Sequence, residues 1–364
     1  MSTSHTQEQI VEATMCLVNF KTTADQLQEQ KQCLAKIAEM FRDDFQATFY
    51  TFYGHPALVL RTQEEKTSDI ILSGHIDVVH GDEKLFSVRR EGDILYGRGV
   101  YDMKGPLIAA LFGVRDAVRA NAKKSVMVLI TADEETSGRG TQALLSKEGY
   151  RGGFALIPDG GDKDHIITAQ KGFAQFAITI RGTSTHASRP WEGANPIIKA
   201  TDFVNAIKER YTDPVSADDW KTSVVPTKIN SGTILNQIPN STTVYFDMRY
   251  VSEQDPQALI SWINKTFKDD VVVEVVAENG MFKVDEDDPK IRKLQRIIGE
   301  QTDVTPVFSR ECGTSDAIFF SEHGIPAALF RPEGGGAHAD GEWVNIKSLH
   351  VVYRVAYEYL HTEI

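Results

Sequence analysis

Two short segments that are apolar almost throughout, at residues 69–73 and 125–131, constrain the fold most strongly. Strands that are buried on both faces have this composition, because helices cover both sides of a parallel sheet. A segment with helical periodicity lies between them at residues 103–120, and further strand-like runs occupy residues 57–61 and 154–157. This alternation of strands and helices predicts an α/β fold with a mainly parallel sheet.

The pattern changes near Lys171. The elements predicted after it are a strand at 174–180, a helix at 195–210, strands at 223–230 and 242–249, a helix at 256–266 and a strand at 271–276. The order βαββαβ is that of a ferredoxin-like module. The α/β style resumes after Asp288. We therefore predict one α/β domain formed by residues 1–171 and 285–364, interrupted by an inserted domain at residues 172–284.

Charge and cysteine content exclude several classes of protein. The chain carries 39 basic and 51 acidic residues, a net charge of −12, which argues against a basic surface for nucleic acid or for a membrane. Its three cysteines are widely spaced and form no C-x-x-C pair, so a disulfide framework and a cysteine-rich zinc site are excluded. Residues 1–9 contain no signal segment and residues 106–114 form too short an apolar run for a membrane span. We expect a cytoplasmic protein.

Five segments concentrate acids, histidines and glycines, and four of them directly follow predicted strands. They are SGHIDVV (73–79), GRGVYDMKG (97–105), TADEETSG (131–138), IPDGG (157–161) and GGGAHADGEW (334–343). Ligands of open α/β sheets bind at the carboxyl ends of the strands, so these segments should meet. Their imidazole and carboxylate groups suit Zn²⁺, Co²⁺ or Mn²⁺, and so many carboxylates would repel one another without cations. The candidate residues are His75, Asp102, Glu134, Glu135, Asp159 and His338.

Other functional classes fit these segments less well. The GRGVYD segment has Asp102 where a dinucleotide fingerprint requires its third glycine. The chain contains no G-x-S-x-G and no H-E-x-x-H motif, which excludes those serine hydrolases and single-zinc peptidases. A dinuclear phosphatase remains open from the ligand types alone, although no glycine-rich phosphate cradle is present. A non-catalytic metal-binding protein also remains open, but it leaves Glu134, an acid beside a candidate ligand, without a role.

The combination H-x-D, G-R-G-x-x-D-x-K-G, D-E-E-x-x-G and a late A-H resembles the acetylornithine deacetylase/succinyl-diaminopimelate desuccinylase family. That family also contains carboxypeptidase G, peptidase T and the aminoacylases, which are dinuclear zinc hydrolases of amide bonds. The resemblance covers nearly the whole chain. It implies a zinc-exopeptidase-like catalytic domain with a ferredoxin-like lid and dimerisation domain inserted into it.

The resemblance also implies roles for individual residues. His75 and Asp159 would bind one metal ion, Glu135 and His338 would bind the other, and Asp102 would bridge both. Zinc is the first choice for both ions, with cobalt or manganese as alternatives. Glu134 would be the general base, and the Asp77 carboxylate would orient the His75 imidazole.

Two backbone features are expected around these residues. Glu134 and Glu135 are adjacent, and adjacent side chains of an extended segment point to opposite sides. Both can serve one site if the chain bends there, and Gly138 and Gly140 favour a bend. The resemblance further implies a cis peptide bond between Asp102 and Met103.

The resemblance assigns the remaining site residues to the inserted domain and to one loop. His186 would donate to the developing oxyanion, commonly in the active site of the partner subunit, which implies a homodimer formed through the lid. Asn236 and Arg249 match substrate-contacting motifs, and we expect them to bind one substrate carboxylate together. Thr314 lies in a segment that resembles a pocket-lining loop, although it also suits the start of a helix.

The expected activity is hydrolysis of an amide bond in a small substrate by a metal-activated water. Asp159 favours peptide substrates, because amino- and dipeptidase members more often have Asp at this position and deacylases and carboxypeptidases more often have Glu. A di- or short-peptide exopeptidase is therefore the first hypothesis, and an N-acyl-amino-acid deacylase is the alternative. The expected partners are the peptide or N-acyl amino acid and a second copy of the chain.

Overall fold

The computed structural model describes residues 3–363, which fold into two compact units. The first unit comprises the described residues up to Ala169, Lys283–Arg310 and the chain from Ser315 onward; the second comprises Gln170–Phe282 and Glu311–Thr314.

Nine α-helices lie within the described residues. They are α1 (Thr3–Val18), α2 (Leu27–Met40), α3 (Lys104–Arg119), α4 (Arg139–Ser146), α5 (Pro196–Arg210), α6 (Asp255–Phe267), α7 (Pro289–Thr302), α8 (Ala317–Glu322) and α9 (Ile346–His361). Three of them begin where a side chain accepts a hydrogen bond from the first turn: Asn195 precedes α5, Asp288 precedes α7 and Asn345 precedes α9. Such caps satisfy backbone N–H groups that would otherwise lack a partner, and so they fix where these helices start. Among the described residues, none of the helices combines the length and the apolar character that a bilayer crossing demands.

The strands within the described residues are mostly short. They are β1 (Gln46–Phe52), β2 (His55–Arg61), β3 (Thr67–His75), β4 (Arg89–Glu91), β5 (Ile94–Tyr96), β6 (Val126–Thr131), β7 (Arg151–Ile157), β8 (His165–Gln170), β9 (Gly172–Arg181), β10 (Thr185–His186), β11 (Ser223–Ser231), β12 (Gln237–Ile238), β13 (Ser241–Tyr250), β14 (Val271–Asn279), β15 (Phe282–Lys283), β16 (Val307–Glu311), β17 (Ala327–Leu329), β18 (Gly334–Gly335) and β19 (Trp343–Asn345).

The large sheet of the first unit has the strand order β1-β2-β6-β3-β7-β17-β8-β15, with β16 paired to β8. Its central strands β6, β3, β7 and β17 are parallel, whereas β1 and β2 add antiparallel strands at one side. All six residues of β6 are buried, as the apolar run at 125–131 predicts. The expected α/β fold with a mainly parallel central sheet is confirmed.

Two features of the first unit are not apparent in the sequence pattern. Strand β1 has no buried residue, because it lies at the edge of the sheet and pairs with β2 alone. A second, small sheet has the order β18-β19-β5-β4 and joins segments that are far apart in the chain. Short strands of two or three residues carry too little periodicity to be predicted.

The chain leaves the large sheet and returns to it on neighbouring strands. Strands β8 and β15 are adjacent in the sheet order, and the Val284 N–H donates to the Thr168 carbonyl over 2.9 Å. The whole excursion from Gly172 to Met281 therefore begins and ends at one place in the first unit.

The second unit has the order β9, α5, β11, β13, α6, β14, which is the predicted βαββαβ order. Its four-stranded sheet is antiparallel, with the order β11-β13-β9-β14. One face of this sheet packs against α5 and α6 through a buried apolar cluster that includes Phe176, Phe203, Phe246 and Leu259. Alternate residues of β13 are buried, which explains the alternating pattern of its sequence.

Candidate metal centre

Three neighbouring parallel strands bring the predicted ligands to one edge of the first unit's sheet. Strand β3 ends at His75, which pairs with Thr131 at the end of β6. Glu134 and Glu135 follow β6, and Asp159 follows β7. The carboxyl ends of adjacent parallel strands share one edge, so the strand-end argument correctly brings these segments together.

We call the first group of donors the inner ligand group: His75, Asp102 and Asp159, whose ligand-capable atoms lie within 4.8 Å of one another. His75 Nε2 lies 3.6 Å from Asp102 Oδ1 and 3.6 Å from Asp159 Oδ2. All three side chains are largely buried, and that of His75 is only 1% exposed. The group is therefore enclosed by protein on most sides.

The outer ligand group consists of Asp102, Glu135 and His338, again within 4.8 Å. His338 Nε2 lies 2.9 Å from Glu135 Oε2 and 3.4 Å from Asp102 Oδ2. The His338 side chain is 57% exposed and its φ of 63° lies in the left-handed region. Asp102 thus presents one oxygen to each group, which is the arrangement expected of a bridging carboxylate.

One buried atom tests whether these residues fit a cation. His75 Nε2 is buried and has no hydrogen-bond partner among the described residues. Its other ring nitrogen, Nδ1, lies 3.0 Å from the Asp77 main-chain carbonyl and donates to it, which leaves Nε2 as the unprotonated nitrogen. A buried unpartnered acceptor facing two carboxylates is costly unless a cation fills the gap. The donor set therefore fits a divalent metal ion.

The pKa values within the cluster show the same need for positive charge. Burial raises the pKa of Glu134 well above its ordinary value, although nearby His75 opposes the rise. Burial likewise raises the pKa of Glu135 to about 7. Hydrogen bonding to Asp102 raises the pKa of His338 to about 9. Burial thus favours the protonated form of both glutamates, and the Asp102 carboxylate favours the protonated form of His338, unless cations supply positive charge.

The chain bends at Glu134 and Glu135, as expected. The Asp133 carbonyl accepts hydrogen bonds from the N–H groups of Thr136, Ser137 and Gly138, which closes a tight turn. Gly138 has a φ of 61°, and a side chain on Gly140 would collide with the Asp133 carboxylate. This turn brings both glutamates to the site, with Glu134 Oε2 3.9 Å from His75 Nε2.

Asp77 contacts His75 and also holds the turn that follows β6. Its main-chain carbonyl, not its carboxylate, lies nearest to His75 Nδ1, the carboxylate Oδ1 being 3.4 Å away. The two carboxylate oxygens instead accept hydrogen bonds from the N–H groups of Glu134 and Glu135, over 3.3 and 3.0 Å. The sequence argument missed these two contacts because they are made to backbone N–H groups, which residue types do not indicate.

A buried carboxylate supports the loop that carries Asp102. Glu342 Oε1 accepts hydrogen bonds from the N–H groups of Gly99, Tyr101 and Asp102, over 2.9, 3.0 and 3.1 Å. Its Oε2 accepts from Arg98 Nη1 over 2.8 Å, and both side chains are about 2% exposed or less. The next peptide bond, between Asp102 and Met103, is cis, as the resemblance implies. Glu342 therefore fixes the backbone that presents the shared aspartate.

Sequence reasoning missed two further residues beside the cluster. Arg331 follows β17 and its Nη2 donates to Asp159 Oδ1 over 2.9 Å. Asp316 is buried and accepts a hydrogen bond from the Thr141 hydroxyl; burial raises its pKa to about 8. The strand-end rule could have found Arg331, because β17 is parallel to β7. Nothing in the sequence pattern indicates the contact between Asp316 and α4.

The second unit brings two of the predicted substrate residues together. Strands β10 and β12 pair His186 with Gln237, and the Asn236 carbonyl accepts from the Ala187 N–H over 2.8 Å. His186 is exposed, and its Nδ1 accepts a hydrogen bond from the Ser188 N–H over 3.1 Å. The ring proton of a neutral His186 therefore lies on Nε2, which is left to donate elsewhere.

Arg249 lies at the other end of this unit. Its partner in the sheet is Ser223 at the start of β11, whereas the loop with Asn236 follows the end of β11. At ~3.4 Å per residue, the seven steps along the strand from Thr242 to Arg249 span about 24 Å. The Arg249 Nε donates to Asp247 Oδ1 over 2.8 Å, so this guanidinium already pairs with a carboxylate of its own strand. The expectation that Asn236 and Arg249 of one chain grip one carboxylate is therefore wrong.

Thr314 also belongs to the second unit, in the short Glu311–Thr314 segment. The Lys171 N–H donates to the Glu311 carbonyl over 3.3 Å, which attaches this segment near Phe173, the sheet partner of Arg249. The predicted substrate residues of the second unit thus lie apart, with His186 and Asn236 at one end of its sheet and Arg249 at the other. Thr314 precedes α8 by several residues and is not its cap.

Two clusters of imidazole and carboxylate donors that share one aspartate, at the strand ends of an α/β domain, define a metal-dependent hydrolase. The chain belongs to Peptidase family M20/M25/M40, whose pattern matches residues 71–362. The resemblance noted in the sequence and the expected metallohydrolase activity are thereby confirmed.

Proteins with similar sequences are named for different hydrolytic reactions. The [LysW]-lysine/[LysW]-ornithine hydrolase of Sulfurisphaera tokodaii is 31% identical over 284 residues, covering 78% of each chain. The succinyl-diaminopimelate desuccinylase of Rickettsia rickettsii is 27% identical over 316 residues, covering 80% of this chain and 83% of the relative.

Solved structures share the fold over nearly the whole chain. Aminopeptidase PepT from Bacillus cereus superposes with a TM-score of 0.82 at 19% identity, covering 98% of both chains. A Bacillus subtilis protein described as a dinuclear metal-binding peptidase of family M20 has a TM-score of 0.71 at 12% identity, again covering 98% of both chains.

Proposed function

We propose that this protein hydrolyses an amide bond in a small substrate, using two divalent cations and the Glu134 carboxylate. The observation that carries the proposal is the pair of ligand groups around Asp102, with Glu134 beside them but in neither group. A protein that merely stored or sensed metal ions would have no use for this additional acid.

The inner ligand group would hold one cation and the outer ligand group the other, with Asp102 between them. Carboxylate and imidazole donors suit zinc first, with cobalt or manganese as alternatives. When bound, such a pair of cations lowers the pKa of a water molecule and polarises a carbonyl group.

Glu134 would move the proton. Its carboxylate accepts a proton from the attacking water and then passes that proton to the leaving amine. The turn closed by the Asp133 carbonyl holds the Glu134 backbone, and the Asp77 carboxylate holds the same backbone from the other side. Both contacts fix the direction from which the carboxylate reaches the water.

The second unit would act as a lid and as the dimerisation domain. His186 Nε2 would donate to the developing oxyanion of the active site in a partner subunit. Within one chain, Asn236 lies far from Arg249. The two residues can contact one small substrate only if they come from different copies of the chain, and this supports the proposal.

Mixing two inactive variants tests this exchange between subunits. A His186→Ala chain and an Asp102→Ala chain each retain one part of the composite site. Random exchange makes about half of the dimers mixed, each with one intact site, so about a quarter of the wild-type activity should return. A mixture as inactive as its parents, with exchange verified by a tag on one variant, would show that His186 acts in its own chain or not at all.

The first candidate substrate is a dipeptide or short peptide, and the supporting feature is Asp159 at the inner ligand group. The second candidate is an N-acyl amino acid, and the supporting observation is that the 31% and 27% identical relatives are named for hydrolysis of LysW-linked amino acids and for desuccinylation. Both classes are small and carry a free carboxylate. We place the enzyme in the cytoplasm because its few, widely spaced cysteines suit a reducing compartment.

A substrate panel separates these candidates. The purified protein would be assayed with Zn²⁺, Co²⁺ or Mn²⁺ on dipeptides, tripeptides and N-acetyl and N-succinyl amino acids. Turnover of peptides over acyl amino acids is expected for an exopeptidase, and the reverse for a deacylase. Hydrolysis of phosphate esters but no amides would favour the phosphatase class. Tight metal binding with no turnover would overturn the proposal of an enzyme for these substrates.

A further inference from the structure

An arginine lies against one of the proposed ligands. Arg331 Nη2 donates to Asp159 Oδ1 over 2.9 Å, and the Arg331 side chain is 16% exposed. The guanidinium also lies over the Tyr101 ring, 4.7 Å from its centroid. A carboxylate on one side and an aromatic face on the other hold the guanidinium in place.

The two oxygens of Asp159 therefore have different surroundings. Oδ1 accepts the hydrogen bond from Arg331, whereas Oδ2 is the oxygen that faces His75 Nε2 at 3.6 Å. A charge-assisted hydrogen bond of this length engages Oδ1 and competes with its use as a second donor to a cation. Oδ2 is left as the single oxygen directed toward the inner ligand group.

The position of Arg331 is linked to the other proposed ligands through the backbone. Tyr101, which the guanidinium covers, immediately precedes the shared aspartate Asp102. The Tyr101 N–H is itself fixed by Glu342. The arginine, the tyrosine and the two aspartates thus form one connected arrangement around the inner ligand group.

We propose that Arg331 is a positioning residue that restricts Asp159 to binding a cation through one oxygen. This inference rests on the metal centre proposed above. The restriction lowers the number of donor atoms around the inner cation and leaves room there for water or substrate. The positive charge of Arg331 also reduces the electron density on Asp159, so the inner cation is bound less tightly than the same donors would otherwise bind it.

Cobalt provides a spectroscopic test. Metal-free wild type, Arg331→Met and Arg331→Lys would be loaded with Co²⁺, the visible absorption recorded and each binding step followed by titration calorimetry. In Arg331→Met both Asp159 oxygens become available, so the inner cobalt gains a donor atom and its visible bands should lose intensity. Loss of the nearby cation should also tighten one binding step roughly tenfold. Arg331→Lys keeps the charge but lacks the planar fork, and should recover part of the wild-type behaviour.

A matched control separates positioning from general disruption. Arg115 is also largely buried, pairs with Asp116 over 2.7 Å and lies over the Phe112 ring at 4.4 Å. Arg115→Met should leave the cobalt spectrum and both affinities unchanged. A merely structural role for Arg331 would weaken metal binding in Arg331→Met, the opposite of the expected sign.

Two further outcomes would overturn the inference, and they can be told apart. If wild type binds two Co²⁺ ions and the Met and Lys variants reproduce its spectrum and affinities, Arg331 does not control Asp159, although the metal centre stands. If wild type binds no Co²⁺, the metal centre itself is wrong and the inference falls with it. Should Arg331→Met fail to fold, the cobalt spectrum of Arg331→Lys decides between the outcomes. Visible bands weaker than those of wild type support the inference, and a spectrum identical to that of wild type overturns it.

Discussion

The inner and outer ligand groups share Asp102 but are built differently. His75 and Asp159 stand at the ends of neighbouring parallel strands and are almost fully buried. In the outer group, Glu135 sits on a turn, and His338 sits on a loop with its side chain 57% exposed. One group is fixed by the sheet and the other by loops, so we expect the inner group to be preorganised and to bind its cation more tightly.

The expected difference in affinity follows from the side-chain freedom that each ligand group loses when it binds a cation. His75 already has its Nδ1 proton held by the Asp77 carbonyl, so little side-chain freedom remains to be lost. His338 is exposed, and before a cation binds its ring is restrained by contacts with Glu135 and Asp102, which a cation would replace, so more side-chain freedom remains to be lost. Ordering an exposed side chain costs about 0.5–1.5 kcal/mol, which weakens the outer step.

The largest effect should come from removing what the groups share. Asp102→Ala takes a donor from both, so the protein should lose both cations and all measurable activity. Metal content by elemental analysis measures the loss. Asp44→Ala, which removes a carboxylate that pairs with Arg119, is the control and should retain full metal content. A fully metallated Asp102→Ala would show that the groups are independent.

Removing the exposed histidine should break one group and spare the other. Titration of metal-free His338→Ala with Zn²⁺ should lack the weaker of two binding steps and keep the tighter one, because the inner donors are intact. His75→Ala should lose the tighter step instead. If His338→Ala lost the tighter step, the order of affinities inferred from burial would be reversed.

Glu134→Gln should leave both groups intact. The amide keeps the shape of the side chain but cannot accept a proton, so kcat should fall by ~10²–10⁴ with little change in KM. Two cations should remain bound, and steady-state kinetics on the best substrate of the panel measures the rate. Loss of a cation in this variant would instead make Glu134 a ligand of one of the groups.

The smallest expected effect on activity comes from Glu342→Gln, which alters the backbone support of Asp102 and leaves every proposed ligand and Glu134 in place. The substitution leaves the Arg98 guanidinium buried without its carboxylate, and breaking such a buried pair costs about 3–5 kcal/mol of the free energy of unfolding. Denaturant unfolding of the metal-free protein measures this loss in the free energy of unfolding. Glu358→Gln, which breaks a more exposed pair with Arg354, should change stability by less than about 1 kcal/mol.

The contrast between ligands at strand ends and ligands on loops also explains which parts of the site can be predicted from the sequence. Strands β3 and β6 are buried on both faces, so their apolar runs identify them, and the strand-end rule then brings His75 and Asp159 together. The turn at Glu134 was expected from two glycines, but its closure by the Asp133 carbonyl depends on backbone hydrogen bonds that no side-chain pattern encodes. The Arg331 contact with Asp159 likewise depends on how two distant strands align.

The distance between Asn236 and Arg249 shows where sequence reasoning failed in the second unit. The two strands on either side of Asn236 were predicted at 223–230 and 242–249, where β11 and β13 lie, but residues at the two ends of this pair were assigned to one carboxylate. The register, with Ser223 opposite Arg249, sets the separation, and register depends on pairing between strands that the sequence of either strand alone leaves undefined.

The neighbouring strands β8 and β15 have a consequence for engineering. Because the excursion into the second unit leaves and re-enters on adjacent strands, its two connections are close enough to be joined by a short hairpin turn. Residues 172–281 can therefore be removed, or replaced by another module, without changing the strand order of the first unit's sheet. Modular exchange at this junction is a direct route to altering how a substrate is recognised while the ligands of the cations keep their positions.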